Sequence, residues 1–220
     1  MLMPRLLPSM KIHKVEQGSD EWFALKNDYP LSASKAQAIA TAGAGMETVV
    51  HEALTEKYSS ADRESYTNEH IERGNDLEED ARAIYELEHK VTVEEVGFIT
   101  DDKLSTKGGV SPDGLVGKDG LTEIKCIMDK AYLLKLIQVG NVGVFKIDSA
   151  HEWQMQQQML FTKRKWVDYC IYNPNFSQPL LVQRVKADPE KQQKILTGLK
   201  LAEKHYDRLE ESVKKALKIN

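Results

Sequence analysis

The chain has 220 residues, 41% of them hydrophobic and 29% charged, and is long enough to bury a core without disulfide or metal staples. That composition excludes collagen-like, mucin-like and wholly disordered chains, and two cysteines, Cys126 and Cys170, exclude a disulfide framework or a paired-CxxC zinc site. A formal net charge of −4 gives no global basic field, so a nucleic-acid partner would have to be met by a local groove.

Residues 1–10 carry Arg5 and Leu6-Leu7 but are broken by Pro4 and Pro8, and they read as a loose arm rather than a signal peptide. No stretch approaches the ~18 apolar residues of a membrane span. With the low cysteine count, the expectation is a cytoplasmic protein with no membrane partner. Residues 11–220 contain no repeat or long linker and read as one domain. Helical spacing covers 34–40 and 47–58, with Thr41-Ala42-Gly43-Ala44-Gly45 between them. Leu77, Ala81, Ile84 and Leu87 mark an amphipathic helix.

Residues 91–99 read as a strand. Ser111-Pro112-Asp113-Gly114 is a turn-like break, and Leu115-Val116 and 121–126 flank Gly117-Lys118-Asp119-Gly120 as a hairpin. Residues 129–138 return to helix, and Ser149 with Glu152 reads as a capping box opening a helix through Phe161. Residues 166–172 and 180–185 are strand-like, and 189–217 form one long helix with Pro189 in its first turn. Its stripe of Ile195, Leu199, Ala202, Tyr206, Leu209, Val213 and Ala216 suits a coiled coil or, the favoured reading, a helix packed on its own sheet. The sum is an α/β (α+β) chain.

The segment richest in chemistry is Ser111-Pro112-Asp113-Gly114 followed by Thr122-Glu123-Ile124-Lys125-Cys126. Side chains alternate faces along a strand, so Glu123 and Lys125 share one face while Ile124 takes the other. A hairpin brings Asp113 beside Glu123, and two carboxylates then meet next to one ammonium. Carboxylates are hard oxygen donors suited to Mg²⁺ or Mn²⁺, which keep several waters and take one or two protein carboxylates. A cation so held lowers the pKa of a bound water and offsets charge building on a phosphodiester. The same residues also suit a surface salt bridge across the hairpin, since an acid two places before a lysine recurs in Glu88-His89-Lys90 and Asp101-Asp102-Lys103. The six histidines show no zinc-ligand spacing and read mostly as surface residues, with His151 placed near the site. No Gly-rich phosphate loop with lysine argues for an NTPase. Lys163-Arg164-Lys165 suits either a DNA-backbone track or a solvated turn, and the three tryptophans read as packing.

Pro112-Asp113 and Glu123-Ile124-Lys125 resemble the PD-(D/E)XK nuclease signature, and the segments around them resemble the phage lambda exonuclease and YqaJ-type viral recombinase family. Glu16-Gln17-Gly18-Ser19-Asp20-Glu21-Trp22 is similar to that family's Q-G-x-x-x-W opening, and Leu31-Ser32-Ala33-Ser34 to its T-A-S. Arg73-Gly74-Asn75-Asp76-Leu77-Glu78-Glu79-Asp80-Ala81-Arg82 is similar to its G-x-x-x-E-x-x-A-R helix, and Gln154-Met155-Gln156 to its late Q-x-Q.

The resemblance implies a restriction-endonuclease-like core, a central mixed β-sheet flanked by helices, with the long helix closing the chain. It implies a Mg²⁺-dependent exonuclease, with Mn²⁺ as substitute, that digests double-stranded DNA 5′→3′ and leaves 3′ tails for recombination by strand annealing. The implied assembly is a homotrimeric ring, the implied partner a single-strand annealing protein, and the source a phage or prophage in a bacterial host. Asp113, Glu123, Glu78 and the main-chain carbonyl of Ile124 would hold metal. Lys125 would be the catalytic lysine, and Gln154 would contact the metal-bound water or the scissile phosphate. Ser34, Lys26 and Gln156 would meet DNA, and Ile71 would be a wedge between the strands. The competing readings are a solvated helix glutamate for Glu78, an N-cap for Ser34, a core residue for Ile71 and a polar helix face for the glutamines.

Two departures concern the DNA side. Lys26 stands where family members can place arginine, which loses bidentate phosphate geometry. Residues 43–46 carry no basic residue, so a 5′-phosphate requirement is left open. Other readings are a RecB- or Cas4-like nuclease of the same fold, a DNA-binding accessory module without catalysis, and a helical scaffold using the C-terminal stripe. The four cluster-binding cysteines of the Cas4 type are absent.

Overall fold

A computed structural model describes residues 10–59 and 69–219, with the side chains of 69–76 outside the description. In chain order the strands are β1 (Met10–His13), β2 (Leu31–Ser32), β3 (Val93–Glu94), β4 (Phe98–Asp101), β5 (Gly108–Val110), β6 (Gly114–Val116), β7 (Gly120–Cys126), β8 (Trp166–Tyr172) and β9 (Leu180–Lys186). The helices are α1 (Asp20–Asp28), α2 (Ala36–Thr41), α3 (Ala44–Tyr58), α4 (Glu69–His89), α5 (Asp129–Val142), α6 (Ser149–Thr162) and α7 (Pro189–Leu217), with a 3-10 turn at Ala33–Lys35.

The expected central mixed sheet is present, and the described residues add a second, smaller mixed sheet beside it. The larger has the order β3-β6-β7-β8-β9, and the smaller has the order β1-β4-β5-β2. Within the larger sheet β7 and β8 run parallel while their other neighbours are antiparallel. A parallel pair needs a long crossover, here supplied by α5 and α6. Val167 to Tyr172 of β8 are all buried, as expected of an inner strand covered on both faces.

Leu121, Val167, Tyr169 and Ile171 join the main core with Met155, Met159 and Phe161 of α6 and the apolar sides of α2, α3 and α7. On the other face Ile124 and Cys170 pack with Ala81 and Tyr85 of α4. The strand β7 is thus clasped between α6 on one face and α4 on the other.

Four sequence expectations change here. Met10, assigned to the arm, opens β1 and pairs with Asp101 of β4. The strand expected over 91–99 splits into β3 and β4, which belong to different sheets. Gly97 sits at that crossing, where a Cβ would stand 2.0 Å from the Val15 carbonyl oxygen, so the backbone passes too close for a continuous strand with side chains. Leu87 ends up 80% exposed while Tyr85 is buried, so the apolar face of α4 runs through Leu77, Ala81, Ile84 and Tyr85 and leaves Leu87 off it. The N-cap of α6 is Asp148, not Ser149, whose hydroxyl instead accepts from Gln37 Nε2 (3.1 Å).

Helix α7 matches its expected limits, with Asp188 as N-cap accepting from the N–H groups of Glu190 and Lys191. Its stripe packs on α2, α3 and α6 of the same chain rather than directly on a sheet. Gly198 permits this: a Cβ there would lie 2.1 Å from the Ile39 carbonyl oxygen. The stripe is buried through Tyr206, and Ala216 is exposed.

Candidate active site

The hairpin of β6 and β7 is antiparallel, with Gly114 opposite Thr122. Gly114 is required by close approach, since a Cβ would stand 2.0 Å from Val93 Cγ1. This pairing brings Asp113, just before β6, against the middle of β7, where the Ile124 N–H donates to Asp113 Oδ2 (2.5 Å). The segment before it is held from far away in the chain. Gln17 Nε2 donates to the carbonyls of Pro112 (3.1 Å) and Val96 (2.8 Å), and the Trp22 indole N–H donates to Ser111 Oγ (2.9 Å). The opening Q-G-x-x-x-W motif therefore braces the loop that aims Asp113, so Trp22 does more than pack.

Glu123 has no solvent exposure. Its Oε1 is met by Lys125 Nζ (2.5 Å) and by Gln154 Nε2 (2.7 Å), and its Oε2 by Gln158 Nε2 (2.6 Å). Such partners give both oxygens of a buried carboxylate the hydrogen bonds that burial demands. Glu123 and Lys125 share a face, as the strand alternation requires, and Ile124 points into the α4 core. Asp113, Glu123, Glu78 and Lys125 also feel one another's charge.

Enclosure by the protein pushes the Asp113 carboxyl well above its usual range. Glu123 and Glu78 add to the rise, while Lys125 and the Ile124 N–H pull against it. Burial likewise raises Glu78, opposed by Arg82 and Lys125. Burial pulls the Lys125 ammonium down, but Glu123 and Asp113 push harder and the net shift is upward. Lys125 is a fixed cation. Cys126, pushed up to about 11 chiefly by burial and then by Glu78, is a thiol at neutral pH and no nucleophile.

Most predicted site residues meet here. Asp113, Glu123, Ile124, Lys125 and Gln154 converge through direct contacts, and Glu78 joins from α4 with Arg82 Nη2 at 3.5 Å from its Oε1. Gln156 does not. It is 2% exposed, donates to the Lys186 carbonyl and accepts from the Asp188 N–H, so it ties α6 to the start of α7 and faces no DNA. The glutamines of α6 are not a polar outer face, because Gln156, Gln157 and Gln158 are all buried. Ile71 lies outside the described side chains.

Of the residues expected to meet DNA, Lys26 and Ser34 line one cavity of about 130 Å³ together with Ser32, Lys35, Glu52 and Glu56. Ser34 is exposed, with its hydroxyl 3.1 Å from that of Ser32, and it caps no helix. Lys26 lies 4.2 Å from the Trp22 ring centroid, and burial lowers its pKa. The cations on this cavity are Lys26 of α1 and Lys35 of the 3-10 turn, and Lys35 is paired to Glu52 at 2.8 Å. Lys163-Arg164-Lys165 is no free basic track. Lys163 pairs with Asp101, Lys165 with Asp119, and Arg164 donates to the carbonyls of Val116, Gly117 and Gly120.

Two residues were missed from sequence. Gln158 stands four after Gln154, a helical spacing that would have placed both on Glu123. Tyr169, the register partner of Glu123 on β8, has its hydroxyl 2.7 Å from His151 Nδ1, and His151 is indeed beside the site. Its pKa is lowered by burial and by Lys125, which keeps the imidazole neutral.

Among the described residues, no three His, Cys, Asp or Glu side chains are grouped to cage a metal ion by themselves. The donors present fit a hard divalent cation that keeps most of its water: Asp113 and Glu123 offer carboxylate oxygens beside a main-chain carbonyl. The raised Asp113 and Glu78 carboxyls mark a cluster with more acid than cation.

Fold and site together define a nuclease of the PD-(D/E)XK type. Residues 21–165 match the YqaJ-like viral recombinase domain, and the chain belongs to that family. The alkaline exonuclease LHK-Exo from Laribacter hongkongensis superposes with a TM-score of 0.71 at 28% identity, over 90% of this chain and 100% of that one. The same enzyme in complex with dAMP gives 0.68 at 28% identity with the same coverage. A phage related exonuclease from Haemophilus somnus 129PT shares the fold, at TM-score 0.58 and 14% identity over 83% of this chain and 96% of that one. No curated protein matches the chain. Nucleases of this family use divalent metal ions.

Proposed function

We propose that the chain is a metal-dependent exonuclease that removes nucleotides from the 5′ end of one strand of double-stranded DNA. The product is a 3′ single-stranded tail for recombination by strand annealing. The observation that carries this reading is the fully buried Glu123, held by Lys125 and Gln154 on the strand whose Ile124 N–H binds Asp113. Mg²⁺ is the proposed cation, with Mn²⁺ as substitute, held by Asp113, Glu123, the Ile124 carbonyl and Glu78. When bound, it supplies an acidified water and offsets charge on the phosphate.

The protein's own groups then do the following. Lys125, kept cationic, cannot abstract a proton and instead steadies the attacking water or a phosphoryl oxygen. Gln154 donates one N–H to Glu123 Oε1, and its second N–H serves the water or the scissile phosphate. Water oxygen bonds to phosphorus and gives up one proton to solvent as the bond to the 3′ oxygen breaks, and the 3′ oxygen takes up one proton from solvent. A nucleoside monophosphate leaves, in keeping with the dAMP bound by LHK-Exo. Lys26 and Ser34 take DNA phosphates in the cavity between α1 and α3, and Ile71 remains the proposed strand wedge.

The proposal extends to one domain that begins with β1 at Met10, a homotrimeric ring around DNA and a single-strand annealing protein as partner, in the cytoplasm of a bacterial host. Among the described residues no helix is long and apolar enough to cross a membrane.

The test is digestion of linear duplex DNA labelled separately at each 5′ and 3′ end, with and without Mg²⁺, and a closed circle beside it. Early Mg²⁺-dependent release of the 5′ label, with 3′ label retained on long strands and the circle intact, is expected. Cutting of the circle points to an endonuclease on this fold. DNA binding without cutting in Mg²⁺ or Mn²⁺ points to an accessory module.

A further inference from the structure

We infer that Gln158 is a positioning residue that fixes the orientation of the Glu123 carboxylate. This rests on the reading of Glu123 as a cation-holding group. Gln154 and Gln158 lie one helical turn apart on α6 and straddle the carboxylate, with Gln154 Nε2 on Oε1 at 2.7 Å and Gln158 Nε2 on Oε2 at 2.6 Å. A carboxylate has about four lone-pair positions. Lys125, Gln154 and Gln158 fill three, leaving one direction for an incoming cation.

Gln158 itself has no solvent exposure, so it touches no DNA and acts only through Glu123. Its own Oε1 has no hydrogen-bond partner among the described residues. A buried amide that leaves its oxygen unpaired costs stability, and rotating the amide would turn that oxygen onto a carboxylate. The charge on Glu123 therefore sets which way Gln158 faces, and Gln158 sets which way Glu123 faces. The helix is fixed behind this pair, because Gln157 Nε2 donates to the Leu31 carbonyl (3.0 Å) and Thr162 Oγ1 to the Gln158 carbonyl (2.7 Å). Without Gln158, Lys125 and Gln154 still hold Oε1, but Oε2 loses its side-chain donor and its direction is no longer fixed. Outer partners of metal-holding groups are worth ~10–100-fold in metal affinity or activity.

The experiment compares wild type, Gln158→Met and Gln158→His on linear duplex DNA across a Mg²⁺ titration, with thermal melts of each. Methionine keeps the volume without a donor; histidine returns an N–H at similar reach. The expected result is a Gln158→Met protein that is folded, ~10–100-fold slower at saturating Mg²⁺ and half-saturated at higher Mg²⁺, with Gln158→His recovering much of both. Wild-type metal dependence and rate in Gln158→Met overturns the inference. So does a folded Gln158→His no better than Gln158→Met, and so does loss of folding in Gln158→Met, which makes the residue a packing element. Wild type inactive with every divalent ion instead overturns the proposed function.

Discussion

Replacing Asp168 by alanine should loosen the helix that brings Glu78 to the site. Asp168 is 2% exposed and accepts from the Tyr85 hydroxyl (2.7 Å), Arg184 Nε (2.7 Å) and Arg184 Nη2 (2.8 Å). Tyr85 is 1% exposed and follows Glu78 by seven residues, about two helical turns on one face of α4. Removing the carboxylate strands a buried hydroxyl, which costs ~1–3 kcal/mol. The Arg184 side chain is 49% exposed and still lies 3.6 Å from the Trp166 ring centroid, so its lost ion pair adds only ~0.5–1 kcal/mol. The sum is about 3 kcal/mol, a fall of roughly 6–12 °C in Tm for a chain of this length. Urea unfolding of Asp168→Ala, Tyr85→Phe and the double variant tests the mechanism as a cycle. Tyr85→Phe alone should cost about 1 kcal/mol, yet be neutral or stabilising in the Asp168→Ala background, where it deletes the stranded hydroxyl. Costs that simply add, or an Asp168→Ala Tm within about 2 °C of wild type, would refute the reasoning.

Gly198→Ala forces a Cβ to within 2.1 Å of the Ile39 carbonyl oxygen and should lower stability by about 1–3 kcal/mol or more. Gly140→Ala in α5, where a Cβ meets nothing within 4 Å, should instead gain about 0.5–1 kcal/mol; thermal melts of the pair check both signs. Lys125→Met should slow DNA hydrolysis by roughly 10²–10³-fold while calorimetry still detects metal binding. Lost metal affinity would assign the lysine to building the metal site instead.

The strand β8 and the long helix α7 were legible because their patterns are local: an apolar run interrupted only by Asp168 and a regular stripe end at clear turn and cap residues. The Asp113, Glu123, Lys125 core of the site was legible for the same reason, since strand alternation and one hairpin bring the three together. What failed depended on distant chain. The break of 91–99 is set by Val15 approaching Gly97, and Lys163-Arg164-Lys165 reads as basic until Asp101 and Asp119 arrive. The glutamine run of α6 looked solvated because glutamine usually is, yet Glu123, Leu31 and Lys186 each claim one amide. Gln156 was carried by its motif and placed on the wrong neighbour by it. Gln17 and Trp22 were legible only as a motif, and their work on Ser111 and Pro112 spans about ninety residues of sequence.

The central claim is that Asp113 and Glu123 hold the cation that DNA hydrolysis needs. The most direct test is release of acid-soluble nucleotide from linear duplex DNA in Mg²⁺ by wild type and by Asp113→Asn, each shown by circular dichroism to be folded. Losing a ligand that supplies several kcal/mol of transition-state stabilisation predicts a rate at least ~10³-fold lower for Asp113→Asn, with wild type silenced by chelator. A folded Asp113→Asn that cuts near the wild-type rate would contradict the account.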